Sequence, residues 1–239
     1  MATPTSVLVL GATGMTGRKL VGELLQSPLI SKVQLVGRRN CNADERKDWP
    51  NQDKLVESIV NMDHLDAHRD VFTGHSIGFC CLGTTRADAG SAEAFVRIDK
   101  DIPLQAATLL KEAGGDSPQH FVLLTSAGSN AESWFLYPKT KGQLEQGVSA
   151  LGFSTLAIMR PGLIDYRPDN RPKHRAVEQW AAPLLGFIAP RSSLCGISQL
   201  GHAMRRVAET WLTQGPASHA HPIVKIYEND AILDLAESK

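Results

Sequence analysis

An α/β fold built on a parallel sheet is what the sequence predicts, and three observations predict it. Short apolar runs alternate with helical stretches from Val7 to Met159, the pattern of successive βαβ units. The first apolar run, Val7-Leu8-Val9-Leu10, passes directly into Gly11-x-x-Gly14-x-x-Gly17 and then a helical stretch, as in a strand, phosphate-type turn and helix. No internal repeat, low-complexity segment or linker divides the 239 residues, a length that suits one α/β domain.

The elements follow in order. Val7–Leu10 is apolar throughout, as a strand buried on both faces requires. A helix is predicted from Met15 to Leu25, with Leu20, Leu24 and Leu25 on one face. Strands are predicted at Val33–Val36, Leu55–Val60, Ile77–Leu82, Phe121–Thr125 and Thr155–Met159, the last closed by Arg160-Pro161-Gly162. Ala92–Ala113 reads as one long helix and Tyr137–Ser149 as the next. Asp165–Arg175 is rich in Arg, Pro, Asp and Asn and reads as a long loop, either a lid or a plain surface loop. A helix from Ser198 to Thr213, with Ser198 as its N-cap, a strand at Ile223–Tyr227 and a short final helix complete the chain. Together these give a Rossmann-type, doubly wound parallel sheet. Residues 1–239 form one dinucleotide-binding domain, to which 163–239 contribute a small C-terminal substrate lobe.

Composition narrows the function. Lys+Arg and Asp+Glu number 25 each, so the net charge is zero and there is no basic footprint of a nucleic-acid binder. No apolar run is long enough to span a membrane, and Met1–Ser6 is too short for a signal peptide. Cys41, Cys80, Cys81 and Cys195 lack the C-x-x-C spacing of a zinc or redox site and read as free thiols. The expectation from these features is a soluble cytoplasmic protein.

The glycine spacing carries the first functional reading. One glycine permits the tight turn, one lets the backbone approach a pyrophosphate, and one lets the helix pack on the strand. Free N–H groups at the helix start then face the phosphates. The second strand ends in Gly37-Arg38-Arg39, roughly 20 residues further on, where an NAD site places an acid for the ribose 2′-hydroxyl. Paired guanidinium groups suit a 2′-phosphate instead. The expected cofactor is NADP(H).

A second constellation is Tyr137-x-x-x-Lys141. Residues four apart share a helix face, so the ammonium lies near the phenol, and a positive neighbour favours phenolate. Such a tyrosine serves as acid to a carbonyl or base to an alcohol. Pro138 suits the first helical turn. Ser126, ending the preceding strand beside Thr125, is placed either to hold the substrate oxygen or simply to satisfy the turn.

These stretches resemble the atypical short-chain dehydrogenase/reductases, and among them the Tat-interacting-protein tumour-suppressor oxidoreductase family. The resemblance is carried by Leu10–Arg18, Leu35–Arg39, Gly78–Arg86 (GFCCLGTTR), Phe95–Asp99, Leu123–Ser126, Tyr137–Gly142 and Arg160–Gly162, and it runs over nearly the whole chain. It implies that Thr13, Gly14, Met15 and Thr16, with Gly11 and Gly17, line the pyrophosphate and that Arg38 and Arg39 hold the 2′-phosphate. Leu82 and Gly83 lie along the adenosine or bridging sugar, Tyr137 moves the proton, and Lys141 binds the nicotinamide ribose. Ile164 contacts the nicotinamide end and Arg171 closes over the cofactor. Asn61 stands where the family tends to carry an acid after the third strand.

His64 and His68 are four apart, but no third ligand accompanies them and no metal site is expected. Trp180, Phe187 and Trp211 read as packing of the C-terminal lobe. Two functions fit. One is an NADP(H)-dependent oxidoreductase acting on a carbonyl or alcohol. The other is an NADP(H)-sensing regulator that switches protein partners with little turnover, in keeping with the regulatory partners the resemblance implies. A sugar-nucleotide epimerase fits less well, because that activity usually goes with a larger C-terminal domain. Substrate, reaction direction and oligomeric state are not encoded in any motif.

Overall fold

The computed structural model describes residues 5–165, 194–215 and 222–238. Seven strands form a wholly parallel sheet in the order β3-β2-β1-β4-β5-β6-β9. The strands are β1 (Thr5–Leu10), β2 (Ile30–Gly37), β3 (Leu55–Ile59), β4 (Ile77–Cys80), β5 (His120–Leu124), β6 (Thr155–Arg160) and β9 (Ile223–Glu228). β7 (Leu163–Asp165) and β8 (Leu194–Gly196) pair separately beyond the carboxyl end of β6. The helices are α1 (Met15–Gln26), α2 (Ala43–Arg46), α3 (Arg86–Ala89), α4 (Ala92–Val96), α5 (Ile102–Gly114), α6 (Leu136–Ala150), α7 (Ile197–Gln214) and α8 (Asn229–Glu237). This is the doubly wound sheet that the alternating pattern predicts. Strand order reverses between β1 and β4, which opens a crevice at their carboxyl ends.

The pleat of β1 explains its unbroken apolar run. Val7 and Val9 enter one core with Leu20, Leu24 and Leu25 of α1 and with Leu200, Met204 and Ile232 of α7 and α8. Leu8 and Leu10 enter the other, with Leu109 and Leu110 of α5, Leu144 and Val148 of α6, and the stacked pair Phe121–Phe153. Successive side chains point to opposite faces, and helices cover both, so no polar position is tolerated. The C-terminal stretch thus supplies a seventh strand and two helices to the α1 face.

Three details differ from the sequence reading. The long helix predicted over Ala92–Ala113 changes winding at Arg97–Asp101, which is π-helical between α4 and α5. Pro103 has no N–H to donate to the Asp99 carbonyl, so the regular ladder cannot continue there. α7 begins at Ile197 with Gly196 as its N-cap, not Ser198, because buried Ile197 already belongs to the first turn and the Gly196 N–H donates to Gln199 Oε1 at 3.1 Å. The short helices α2 and α3 lie outside the expected elements. Asn42 and Thr85 cap them through their side chains.

Two predictions follow from this packing. A Cβ on Gly17 would lie 2.1 Å from the Gly11 carbonyl oxygen, whereas one on Gly74, which unlike Gly17 has positive φ (+81°), would meet nothing within 4 Å. Gly17→Ala should cost about 2 to 3 kcal/mol, lowering Tm by on the order of 5 to 10 °C. Gly74→Ala bears only the backbone term, about 1 kcal/mol. Circular-dichroism melts of the two variants test this, and equal losses would show that the Gly11–Gly17 approach does not limit the fold. His120, buried at the start of β5, stacks on Trp211 at 5.7 Å and places Nδ1 3.0 Å from the Thr155 carbonyl. Burial pushes its imidazole down to about 4 from the ordinary 6.5. Between these values the unfolded chain binds the proton and the native chain does not. Stability on the order of 3 kcal/mol is therefore present above pH 6.5 and lost on acidification to about 4. Denaturant titrations across that window should show the fall, and His120→Gln should flatten it.

Candidate cofactor and active site

The crevice is built by backbone contact. Gly11 has φ +85°, and a Cβ there would lie 2.6 Å from the Cys81 carbonyl carbon and 2.8 Å from the Leu82 nitrogen. The ends of β1 and β4 therefore touch only because this residue has no side chain. Gly14 donates its N–H to the Gly11 carbonyl at 3.0 Å and precedes α1. No side chain caps α1, and its first turn carries no acid. The first-turn N–H groups are thus left for an incoming anion.

Above this turn lies a cavity of about 560 Å³. Gly11, Thr13, Leu82, Arg38 and Arg39 line it, together with Val60, Met62 and Ile102. A cradle that any Cβ would fill, an uncapped helix start and a partly apolar cavity fit a dinucleotide. Gly14, Met15, Thr16 and Gly17 shape the turn rather than the cavity wall. Thr16 and Gly17 are buried beneath it, and Met15 faces outward beside Arg18.

The two arginines differ. Among the described residues no carboxylate pairs with Arg38. Arg39 is gripped by Glu45, with Nη1–Oε2 at 2.8 Å and Nη2–Oε1 at 2.7 Å. Glu45 also accepts from the Asn42 N–H while Asn42 caps Glu45, a reciprocal capping box at the start of α2. The Arg39 guanidinium, with its hydrogen bond foremost, holds the Glu45 carboxyl below its usual value. Asn61, after β3, turns its carbonyl oxygen back onto the Asp63 N–H at 2.9 Å, and Asp63 pairs with Arg97 across the cavity rim.

Tyr137 and Lys141 lie on α6 as their spacing predicts. Tyr137 is 45% exposed, while Lys141 is 4% exposed. The Lys141 ammonium lies 5.9 Å from the phenol ring centre and 2.7 Å from Asp99 Oδ1. Asp99 is fully buried, and its other oxygen accepts the Thr84 N–H at 2.8 Å. Burial pushes the Asp99 carboxyl up, against the pull of Lys141 and the Thr84 N–H. For Lys141 burial acts downward, but the Asp99 charge and hydrogen bond together with Tyr137 and Cys80 outweigh it and raise the ammonium above its usual value. A Cβ on Gly83 would lie 3.5 Å from Asp99 Oδ1 and 3.6 Å from Lys141 Nζ. The chain at Gly83 is bare over the ion pair, and a ligand running along Leu82 and Gly83 reaches the ammonium.

Ser126 and Thr125 separate cleanly. Thr125 Oγ1 donates to Glu145 Oε1 at 2.6 Å, and Glu145 is in turn held by Arg160. Ser126 Oγ is buried without a partner among the described residues, leaving its hydroxyl for a ligand. Ile164 pairs in register with Cys195 and packs on the α1-side core, outside the cavity. Arg171, Trp180, Phe187 and nearly all of the Asp165–Arg175 loop lie outside the described residues. His68 breaks the 3₁₀ segment Leu65–Phe72 and its Nε2 accepts the Asn61 N–H at 3.3 Å. Among the described residues no group of three or more His, Cys, Asp or Glu is placed to hold a metal. The four cysteines are free thiols. Burial raises all of them, Cys41 to about 12 and Cys80 and Cys195 to about 11.

Asp99 and Glu45 are the site residues that motif reading passed over. Both had a signal. Asp99 falls on the buried stripe Phe95, Ile102, Ala106 of its helical stretch, where an acid needs a partner. Asn42-x-x-Glu45 is a capping-box pattern.

Residues 11–174 match the protein family described as NAD(P)H-binding. Protein HTATIP2 of Rattus norvegicus is 44% identical over 234 residues, 97% of this chain and 89% of the rat protein. Protein FMP52-1, mitochondrial, of Scheffersomyces stipitis is 37% identical over 242 residues, covering 96% and 98%. Among solved structures, the Bordetella bronchiseptica enzyme WbmF in complex with NAD+ aligns over 98% of this chain and 77% of its own, with TM-score 0.64 and 14% identity. The Saccharomyces cerevisiae short-chain dehydrogenase/reductase YIR035C aligns over 97% and 99%, with TM-score 0.63 and 12% identity. These two structures bear on the fold alone. The expectation of a cytoplasmic protein is corrected here. Several fungal relatives are named as mitochondrial, which conflicts with a purely cytoplasmic location. The features behind that expectation do not discriminate between those compartments, and among the described residues no helix is long and apolar enough to cross a membrane. With its glycine turn, its parallel sheet and these relatives, the chain belongs to the NAD(P)H-binding family, as an atypical short-chain dehydrogenase/reductase of the HTATIP2 type.

Proposed function

We propose that the protein is an NADP(H)-dependent oxidoreductase acting on a small carbonyl or alcohol, with Tyr137 as proton donor and acceptor. The observation that carries this is that buried Lys141, one turn from Tyr137 on α6, lies beside bare Gly83, the residue that follows Leu82 in the wall of the glycine-turn cavity. Bound nicotinamide supplies or accepts the hydride. In the reducing direction Tyr137 gives its proton to the carbonyl oxygen, and in the oxidising direction it takes the alcohol proton. The Ser126 hydroxyl holds that oxygen. Lys141 faces the ribose and keeps a positive charge beside the phenol, and Asp99 fixes where that charge sits. Arg38 and Arg39 receive the 2′-phosphate.

A second reading, the cofactor-sensing regulator, is favoured by one observation. Trp134 is 99% exposed and Phe135 is 71% exposed, immediately before α6. A partner held by these rings would touch the segment that positions Tyr137.

Three measurements test the proposal. Fluorescence titration should show NADPH binding more tightly than NADH, and tighter NADH binding rejects the arginine assignment. Tyr137→Phe should lower turnover on an accepted carbonyl by roughly 100-fold or more, with NADPH affinity nearly unchanged. A broad carbonyl panel with no NADPH oxidation, alongside partner binding that depends on cofactor, selects the regulator. Asp99→Ala strands a buried ammonium and should cost about 3 to 5 kcal/mol of stability. Asp99→Asn keeps an acceptor and should lose less. Chemical denaturation of the pair checks this, and equal stabilities would show that Lys141 does not depend on Asp99.

A further inference from the structure

The cavity holds two adjacent arginines, yet only Arg38 is without an acidic partner among the described residues. Arg39 Nη1 donates to both Glu45 Oε2 and the Asn40 carbonyl, at 2.8 Å each, and Nη2 donates to Glu45 Oε1 at 2.7 Å. A guanidinium has five N–H donors in a fixed fork, and Glu45 occupies it bidentately. That is the geometry by which arginine would grip a phosphate. The Glu45 side chain is 8% exposed and anchored by the Asn42 N–H at 2.8 Å, so it cannot swing away as a surface carboxylate does. Arg39 is 53% exposed and is the solvent-facing member of the pair.

We propose that Glu45 sets the discrimination between NADPH and NADH by competing with the 2′-phosphate for the Arg39 guanidinium. This rests on the reading that Arg38 and Arg39 receive that phosphate. Two anions cannot accept the same N–H groups, and a carboxylate beside a phosphate dianion repels it. Arg38 therefore makes the first contact, and Arg39 contributes only as far as Glu45 releases it. The outcome is a preference for NADPH weaker than two unopposed arginines would give, with NADH, which has only a 2′-hydroxyl, untouched by the competition. Glu45 is a positioning residue, since it acts through Arg39.

The test compares dissociation constants for NADPH and NADH at one fixed ionic strength in the whole protein and four variants. Glu45→Gln removes the competing charge and should tighten NADPH by roughly tenfold while leaving NADH within about twofold. Arg39→Ala should weaken NADPH little in the native background and much more in the Glu45→Gln background, a non-additivity that reports the shared contact. Asn42→Ala breaks the cap of α2 but keeps the carboxylate, and it should leave the NADPH-to-NADH ratio unmoved. A structural disturbance of the loop would shift both cofactors together. The proposal is overturned if Glu45→Gln leaves the ratio unchanged or lowers it in a protein that prefers NADPH, or if Asn42→Ala moves the ratio as Glu45→Gln does. If the native protein binds NADH as tightly as NADPH, the 2′-phosphate assignment itself fails and takes the proposal with it.

Discussion

Three backbones meet at the carboxyl edge of the sheet without a side chain between them, and the rest of the site is hung from that meeting. The end of β1 reaches the end of β4 because a Cβ on Gly11 would overlap the Cys81–Leu82 peptide. α1 reaches the end of β1 because a Cβ on Gly17 would overlap the Gly11 carbonyl. The contacts lie at the point where strand order reverses, the only place where two connections leave in opposite directions and open a crevice. They also leave the first turn of α1 uncapped, so its N–H groups stay available to a phosphate. Steric constraint and anion binding therefore come from the same few residues.

Charge is handled differently in two places around the glycine turn. Beneath Gly83, Lys141 and Asp99 are both buried, and their ion pair is anchored by a backbone N–H. A pair like that adds little net stability but is severely missed when one member is removed. Its value is that it fixes the position of the ammonium. At the cavity wall Arg39, 53% exposed, is held bidentately by Glu45, whose side chain is 8% exposed. That arginine faces solvent, and the buried lysine does not.

Much of this was legible in the sequence, for identifiable reasons. The fold followed from β1, whose run of apolar residues admits only a strand covered on both faces. The glycine turn, Tyr137 and Lys141 were legible because their spacing matches a turn and a helix period. Ser126 was already singled out over Thr125 in the sequence, and the structure adds that Thr125 donates its hydroxyl to Glu145. The change of winding at Arg97–Asp101 was hidden because Pro103 also suits a helix start, and periodicity does not distinguish a π turn from an α turn. Asp99 and Glu45 escaped because their partners are distant in sequence or belong to a loop, and motif spacing reports only local neighbours. Compartment escaped for another reason: no property of the folded core depends on it.

The π-helical segment ties these points together. Arg97 and Ile98 face the outer cavity, where Arg97 pairs with Asp63, while Asp99 turns inward to Lys141. In a regular α-helix successive residues are separated by about 100°, and Asp99 would share the face of Phe95 and Ile102. The wider turn keeps that face buried while Pro103, which lacks an N–H, is accommodated. One five-residue stretch thus carries both Arg97, in the cavity wall, and Asp99, on Lys141.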